Sequence, residues 1–147
     1  MGDPKPGTDP QGGEPGSVPT AIARCHCGGV ELVATFPSRF CAHCYCWSCR
    51  TSHASGVVTW IGFKRAQVRY TKGEELLRDY ESSKGTNRRF CGRCGTRFTF
   101  ESSHGKWADE VHLPLALFVT PVDRAPSGNS FPDERPDWAP FAGFEHG

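Results

Sequence analysis

From Thr20 onward hydrophobic and polar residues alternate over short stretches, and few stretches keep the three-to-four-residue spacing of an amphipathic helix. Residues 21–24 and 30–36 read as two short strands around Cys25-His26-Cys27-Gly28-Gly29, a sequence with hairpin-turn chemistry. Residues 39–46 extend again and give way to a short turn or helix over 47–52. The run Gly-Val-Val-Thr-Trp-Ile at 56–61 is β-branched and aromatic, a good strand. Short strands at 68–70 and 76–80 flank a Lys72-Gly73 turn, and strands at 88–91 and 96–100 flank Gly92-Arg93-Cys94-Gly95. Residues 110–119 mix strand and helix signals and are interrupted by Pro114. Beyond Pro121 prolines dominate, with Trp138 and Phe141 the expected anchors onto the domain. Many short strands, glycine-rich turns and little helical periodicity predict a mainly β fold with short helical turns.

Composition changes this picture at the front of the chain. Residues 1–19 hold five prolines and five glycines with almost no apolar side chains. Such a segment cannot bury enough surface to offset its ordering entropy, so a disordered tail is expected there, followed by a single domain over 20–147. The longest apolar run, residues 113–119, contains a proline and is far too short to span a bilayer. The first twenty residues lack the apolar region of a signal peptide, so the chain reads as soluble and cytoplasmic, with no membrane partner. A formal net charge of +1 offers no electrostatic ground for nucleic-acid binding. Arg88, Arg89, Arg93 and Arg97 cluster in sequence, and the plain expectation for such a run is a solvated basic face.

Eight cysteines in 147 residues is the strongest chemical signal. They fall in tight groups, as metal ligands do, instead of spreading into pairs that staple distant loops. Cys91-x-x-Cys94-Gly95 is a zinc knuckle, half of a tetrahedral site. Cys25 and Cys27 can supply the other half, because residues two apart on an extended strand point to the same side. Together they make a closed four-thiolate structural zinc joining the first hairpin to the penultimate one. A redox role for Cys91 and Cys94 would need a helix start in a βαβ setting, which the pattern lacks.

The central group, Cys41-Ala42-His43-Cys44-Tyr45-Cys46-Trp47-Ser48-Cys49-Arg50, is less conventional. Cys44 and Cys46 share a strand face and Cys49 follows a turn, so the three could hold a second zinc with one position open to a water or a substrate thiolate. Were Cys41 to join them the site would be closed and inert; strand alternation puts Cys41 on the opposite face, which favours three ligands and a core role for Cys41. His26 and His43 alternate away from the neighbouring thiols. His53, His104 and His112 sit in no motif; ordinary surface or core histidines are the plain expectation, with an acid or base role for one of them the alternative.

Cys25-x-Cys27-Gly28, Cys44-x-Cys46-x-x-Cys49-Arg50 and Arg89-Phe90-Cys91-x-x-Cys94-Gly95 together resemble the glutathione-dependent formaldehyde-activating enzyme family, which includes centromere protein V-like proteins. Ala54-Ser55-Gly56, Tyr80-Glu81-Ser82-Ser83 and Trp138 add local matches, and the resemblance spans roughly residues 20–142. It implies a compact zinc-stabilised β fold of the β-tent type with two zincs per chain. Cys25, Cys27, Cys91 and Cys94 would be the structural set, and Cys44, Cys46 and Cys49 the set at the active site. The implied activity is that of a carbon–sulfur lyase making or breaking the bond of a thiol adduct of a small aldehyde, such as S-hydroxymethylglutathione. Arg50, with Arg89 or Arg93, is a candidate for engaging the carboxylates of glutathione. Three features depart from the family pattern: the additional Cys41, a longer segment at 50–55, and a loosely matching stretch at 123–141. A non-catalytic zinc scaffold that binds a protein partner is the competing functional class, and the number of protein sulfurs on the central metal separates the two.

Overall fold

The computed structural model describes residues 19–139, so the tail expected before Pro19 and the anchor expected at Phe141 lie outside the described residues. Among these residues ten strands form two sheets and one α-helix is present. The smaller sheet is antiparallel and contains β1 (Thr20–Arg24), β2 (Glu31–Thr35) and β5 (Val68–Lys72), with β2 in the middle. The larger sheet contains β3 (Phe40–Cys44), β4 (Val58–Lys64), β6 (Leu77–Ser83), β7 (Thr86–Cys91), β8 (Arg97–Ser102), β9 (Glu110–Pro114) and β10 (Asn129–Ser130). Its order is β10-β3-β4-β9-β8-β7-β6, antiparallel throughout except that β10 runs parallel to β3. The helix α1 (Trp47–His53) bridges β3 and β4. The fold is therefore mainly β, as the strand pattern predicts, and no helix among the described residues is long and apolar enough to cross a membrane.

The two faces of the large sheet explain why its middle strands are buried on both sides. Ile61 and Phe63 of β4, Cys41 of β3, Leu113 of β9 and Phe98 of β8 point toward the small sheet and pack with Ala21, Ala23, Leu32 and Ala34. Each large apolar side chain fully buried there contributes about 1.5–3 kcal/mol. The alternate residues, Phe40, Cys44, Val58, Trp60 and Phe100, gather on the opposite face in a second cluster. Phe98 and Phe100 are two apart, yet they belong to different clusters. The cause is a bulge: Arg89 pairs with Thr99 and Phe90 with Arg97, leaving Phe98 as the extra residue that reverses the alternation.

Three elements depart from the sequence reading. The strands around Lys72-Gly73 lie in different sheets, so that turn carries the chain from one layer to the other. Gly73 has φ 70°, and a Cβ there would collide with the carbonyl of Gly29, so only glycine fits the crossing. The proline-rich segment after Pro121 contributes strand β10, held by Tyr45 N–H donating to Ser130 O at 3.0 Å and Ser127 N–H to Cys41 O at 2.8 Å. Trp138, the expected anchor, lies against Gly56 but stays 73% exposed, while the adjacent Ala139 is the buried residue at 6%.

Candidate functional site

Two groups of thiols converge among the described residues. The sulfurs of Cys25, Cys27, Cys91 and Cys94 all lie within 4.8 Å of one another, and so do those of Cys44, Cys46 and Cys49. Sulfur separations of 3.5 Å for Cys25–Cys27, 3.9 Å for Cys27–Cys91 and 3.6 Å for Cys44–Cys49 are far beyond a disulfide bond. They match the edge of about 3.8 Å that four sulfurs at roughly 2.3 Å from a central tetrahedral ion would have.

The four-thiol group is built from two turns. β1 ends at Arg24, so Cys25 and Cys27 converge through a turn closed by Gly28 N–H to Cys25 O at 3.0 Å, not through the strand alternation expected for them. On the other side Gly95 N–H donates to Cys91 O at 2.8 Å. Backbone N–H groups of Gly29, Val30 and Arg93 point at Cys27, Cys25 and Cys91 sulfurs at 3.3–3.4 Å, the environment a thiolate needs. Thr96 ties the turns together, accepting from His26 N–H at 3.0 Å and lying 3.2 Å from Cys94 Sγ. Four sulfur donors make a complete tetrahedral set, so a metal held by all of them would have no position left over.

The three-thiol group forms where β3 runs into α1. Cys44 closes the strand, and Cys46 is the helix N-cap, extended at φ −62° and ψ 148°, its sulfur accepting from Cys49 N–H at 3.3 Å. Hydrogen bonds from Cys44 and Cys49 hold the Cys46 thiol far below the usual range, while the same contacts, together with burial, push Cys44 up. Three sulfurs within 4.8 Å of one another, two of them buried, make a donor set that fits a cation. Arg88 supplies a fixed one. Buried at 6%, it points Nη1 and Nη2 at Cys49 Sγ, 3.8 and 3.9 Å away, with Nη1 donating to Ser52 Oγ and Nε to Ser82 Oγ, both at 3.2 Å.

These sulfurs line a cavity of about 370 Å³ on the outer face of the large sheet. A single cross-strand row forms part of its floor: Phe40 pairs with Gly62, Gly62 with His112, His112 with Phe100, and Phe100 with Arg88. Phe40 reaches over Gly62, where any Cβ would collide with its ring, and meets His112 edge-on at 4.8 Å. His112 stacks on Phe100 at 5.5 Å, and the Arg88 guanidinium sits 5.1 Å from the Phe100 ring centre. Trp60 completes this apolar surface. The segment after β10 closes one side with Phe131 and Glu134, whose carboxylate accepts from Trp47 N–H at 2.9 Å and so ties that segment to the start of α1.

Two histidines near this face are held neutral. His112 is 6% exposed and burial lowers its pKa below the usual 6.5, partly opposed by Glu110, whose Oε1 is 2.9 Å from Nε2. His53 packs edge-on to Trp60 at 5.2 Å, and burial, then the charges of Arg88 and Arg97, push it down to about 4. Between pH 6.5 and about 4 the unfolded chain binds a proton at this position that the folded one refuses, so His53 lowers stability as pH falls through that window. His53→Phe removes that slope. Relative to the parent protein, the variant should gain on the order of 1 kcal/mol at pH 5 compared with pH 7, allowing for solvent screening. Urea titrations of both proteins at the two pH values, at matched metal content, measure it.

Of the residues singled out in the sequence, the structure brings Cys25, Cys27, Cys91 and Cys94 into one group and Cys44, Cys46 and Cys49 into the other. Cys41 is 1% exposed in the core between the sheets, away from both. Arg50 donates from Nε to Tyr45 O at 2.8 Å and is not among the cavity-lining residues. Arg89 lies on the sheet's other face, paired with Asp79 at 2.9 Å and over Tyr70. Arg88 departs from the solvated basic face expected of its cluster: it is the cation of the cavity. Phe100 and Trp60 also line the cavity without having been singled out, and of the three histidines without a motif His112 joins them; alternation along β4, β8 and β9 puts them on the face of Cys44, a signal readable only once the register is known.

Comparison with known proteins bears on this architecture in three ways. A solved crystal structure of a Rhodobacter sphaeroides protein is similar with a TM-score of 0.55 at 22% identity, over 65% of this chain and 85% of that one, a likeness of fold. No curated protein matches the chain. The model of the family described as glutathione-dependent formaldehyde-activating enzyme matches residues 20–133, a span that contains both thiol groups, the cross-strand row and strand β10. On that match the chain belongs to the glutathione-dependent formaldehyde-activating enzyme family.

Proposed function

We propose that this protein is a zinc-dependent enzyme of the carbon–sulfur lyase type, acting on the adduct of a thiol such as glutathione with a small aldehyde. The observation that carries the reading is the contrast between the two thiol groups. Four sulfurs gather at the turns as a full tetrahedral donor set, whereas three sulfurs stand at the wall of an open cavity beside a buried arginine. The donor sets fit zinc in both places: Cys25, Cys27, Cys91 and Cys94 as a closed structural site, and Cys44, Cys46 and Cys49 as a site with a fourth position available. Zinc bound by the three central thiolates supplies a Lewis acid that stabilises a sulfur anion. Thiols kept as ligands instead of disulfides suit a reducing compartment, so the cytoplasm is the expected location.

The chain's own groups divide the remaining work. Arg88 places a fixed positive charge next to Cys49, offsetting negative charge that three thiolates and an incoming sulfur would accumulate in a partly desolvated space. Because the Glu110 carboxylate can only accept, His112 carries its hydrogen on Nε2 and keeps the Nδ1 lone pair. Neutral at physiological pH, Nδ1 takes the hydroxyl proton of the adduct as the carbonyl forms and the carbon–sulfur bond breaks; the bonding pair leaves with sulfur as thiolate. In the reverse direction the thiolate attacks the carbonyl carbon and His112 returns the proton to the new alkoxide.

Exchange NMR on mixtures of glutathione and formaldehyde tests this. Zinc-loaded protein should accelerate adduct exchange and saturate with glutathione, and His112→Asn should lower the rate by about 10²–10⁴-fold with zinc content unchanged. No saturable binding, together with exchange rates equal to those of buffer, removes the reading.

A further inference from the structure

We infer that the thiol taken at the central site carries an aromatic or otherwise bulky, apolar substituent of its own, in addition to the small carbon contributed by the aldehyde; the inference rests on the proposed thiol-adduct reading of that site. Three observations carry it. The first is size. A hydroxymethyl group has two heavy atoms and needs about twice the room of one water, whose share of the liquid is roughly 30 Å³, whereas the cavity against the three sulfurs measures about 370 Å³.

The second observation is the surface on offer. Aromatic rings of Phe40, Trp60 and Phe100 face the cavity from the sheet, giving flat apolar platforms suited to stacked or edge-on ring contacts. Of the five exposed large hydrophobic side chains among the described residues, Trp47, Trp107 and Phe131 all line this one cavity, at 63%, 38% and 54% exposure. Aromatic side chains left in water and concentrated at a single opening mark a binding surface.

The third is charge. Glutathione carries two carboxylates, and desolvating each without a partner is costly. Arg88 and Glu134 are the charged groups of the lining. Arg88 already donates to Cys49, Ser52 and Ser82, and Glu134, capping Trp47, would repel a carboxylate. The ionic part of any such thiol is therefore expected at the opening, in water, leaving the aromatic interior to an apolar substituent.

The test uses zinc-loaded, full-length protein and three thiols: ethanethiol, glutathione and 2-phenylethanethiol. Calorimetry and quenching of tryptophan fluorescence report binding. The phenyl compound should bind at least about tenfold more tightly than either of the others, as burial of a phenyl group predicts. Ala42→Phe, which fills the cavity from β3, should erase that preference while leaving ethanethiol binding unchanged. Should that variant fail to fold, Phe131→Ala, at an exposed position, should cut 2-phenylethanethiol affinity by about threefold or more. Equal affinities for the three thiols, or a preference untouched by either substitution, overturn the inference alone. Absence of binding by all three overturns the thiol-adduct reading beneath it.

Discussion

Exhaustive chelation of the reduced protein is expected to unfold it. Cys25 and Cys27 sit in the turn between β1 and β2 of the small sheet, while Cys91 ends β7 and Cys94 lies in the turn that leads to β8 in the large one. A zinc bound by all four therefore pins the two layers together. Apparent binding free energies for such sites are about 10–16 kcal/mol, against total domain stabilities of about 5–15 kcal/mol. Losing the ion also leaves Cys25, pushed up to about 12 by burial, and the fully buried Cys91 as crowded thiols with no metal to draw them together. Cys91→Ser should reproduce the result without chelator: loss of folded far-UV circular dichroism and of structural zinc. Cys41→Ala is the control from the same core, expected to cost about 1–2 kcal/mol with metal content unchanged. A metal-free protein that keeps its folded spectrum and its cooperative melt would refute the zinc-pinned architecture.

Cys46→Ser should separate folding from chemistry. Cys46 is half-buried at the end of an extended stretch, and its contributions are one sulfur to the central group and one N-cap contact to Cys49 N–H. Serine preserves the cap, since a hydroxyl oxygen accepts from the same region of the helix start. It leaves only Cys44 and Cys49 as sulfur donors. The expected variant is folded, with a melting temperature within a few degrees of the parent, about one zinc per chain in place of two, and adduct turnover reduced by at least about 10³-fold. Circular dichroism, metal analysis and exchange NMR on one preparation give all three readings. Turnover retained with the central metal gone would place the chemistry elsewhere.

Much of the domain was legible from spacing alone. The strands around the two turn cysteine pairs, the grouping of four and three thiols, and the separation of Cys41 from Cys44 follow from rules acting over a few residues: turn chemistry, ligand spacing and period-two alternation. Even there the physical reason differed at one point, because Cys25 and Cys27 meet through a turn while only Cys44 and Cys46 lie along extended chain. The arginine cluster was misleading for the same local reason. Arg88 and Arg89 are neighbours in sequence but point to opposite faces of β7, one into the cavity and the other toward Tyr70.

Local sequence was enough for the family, the mainly β character and which sulfurs come together, since each is encoded in neighbours a few positions apart. Tertiary structure alone decided what surrounds the central thiols. Arg88, Phe100 and His112 reach one cavity through the pairing of three strands and a bulge at Phe98, and Phe131 and Glu134 arrive on a segment that joins the sheet in parallel more than eighty residues after β3. For strands that are not hairpin neighbours, such as β4 with β9 and β3 with β10, register is a long-range property, set by which faces bury together once the sheets pack.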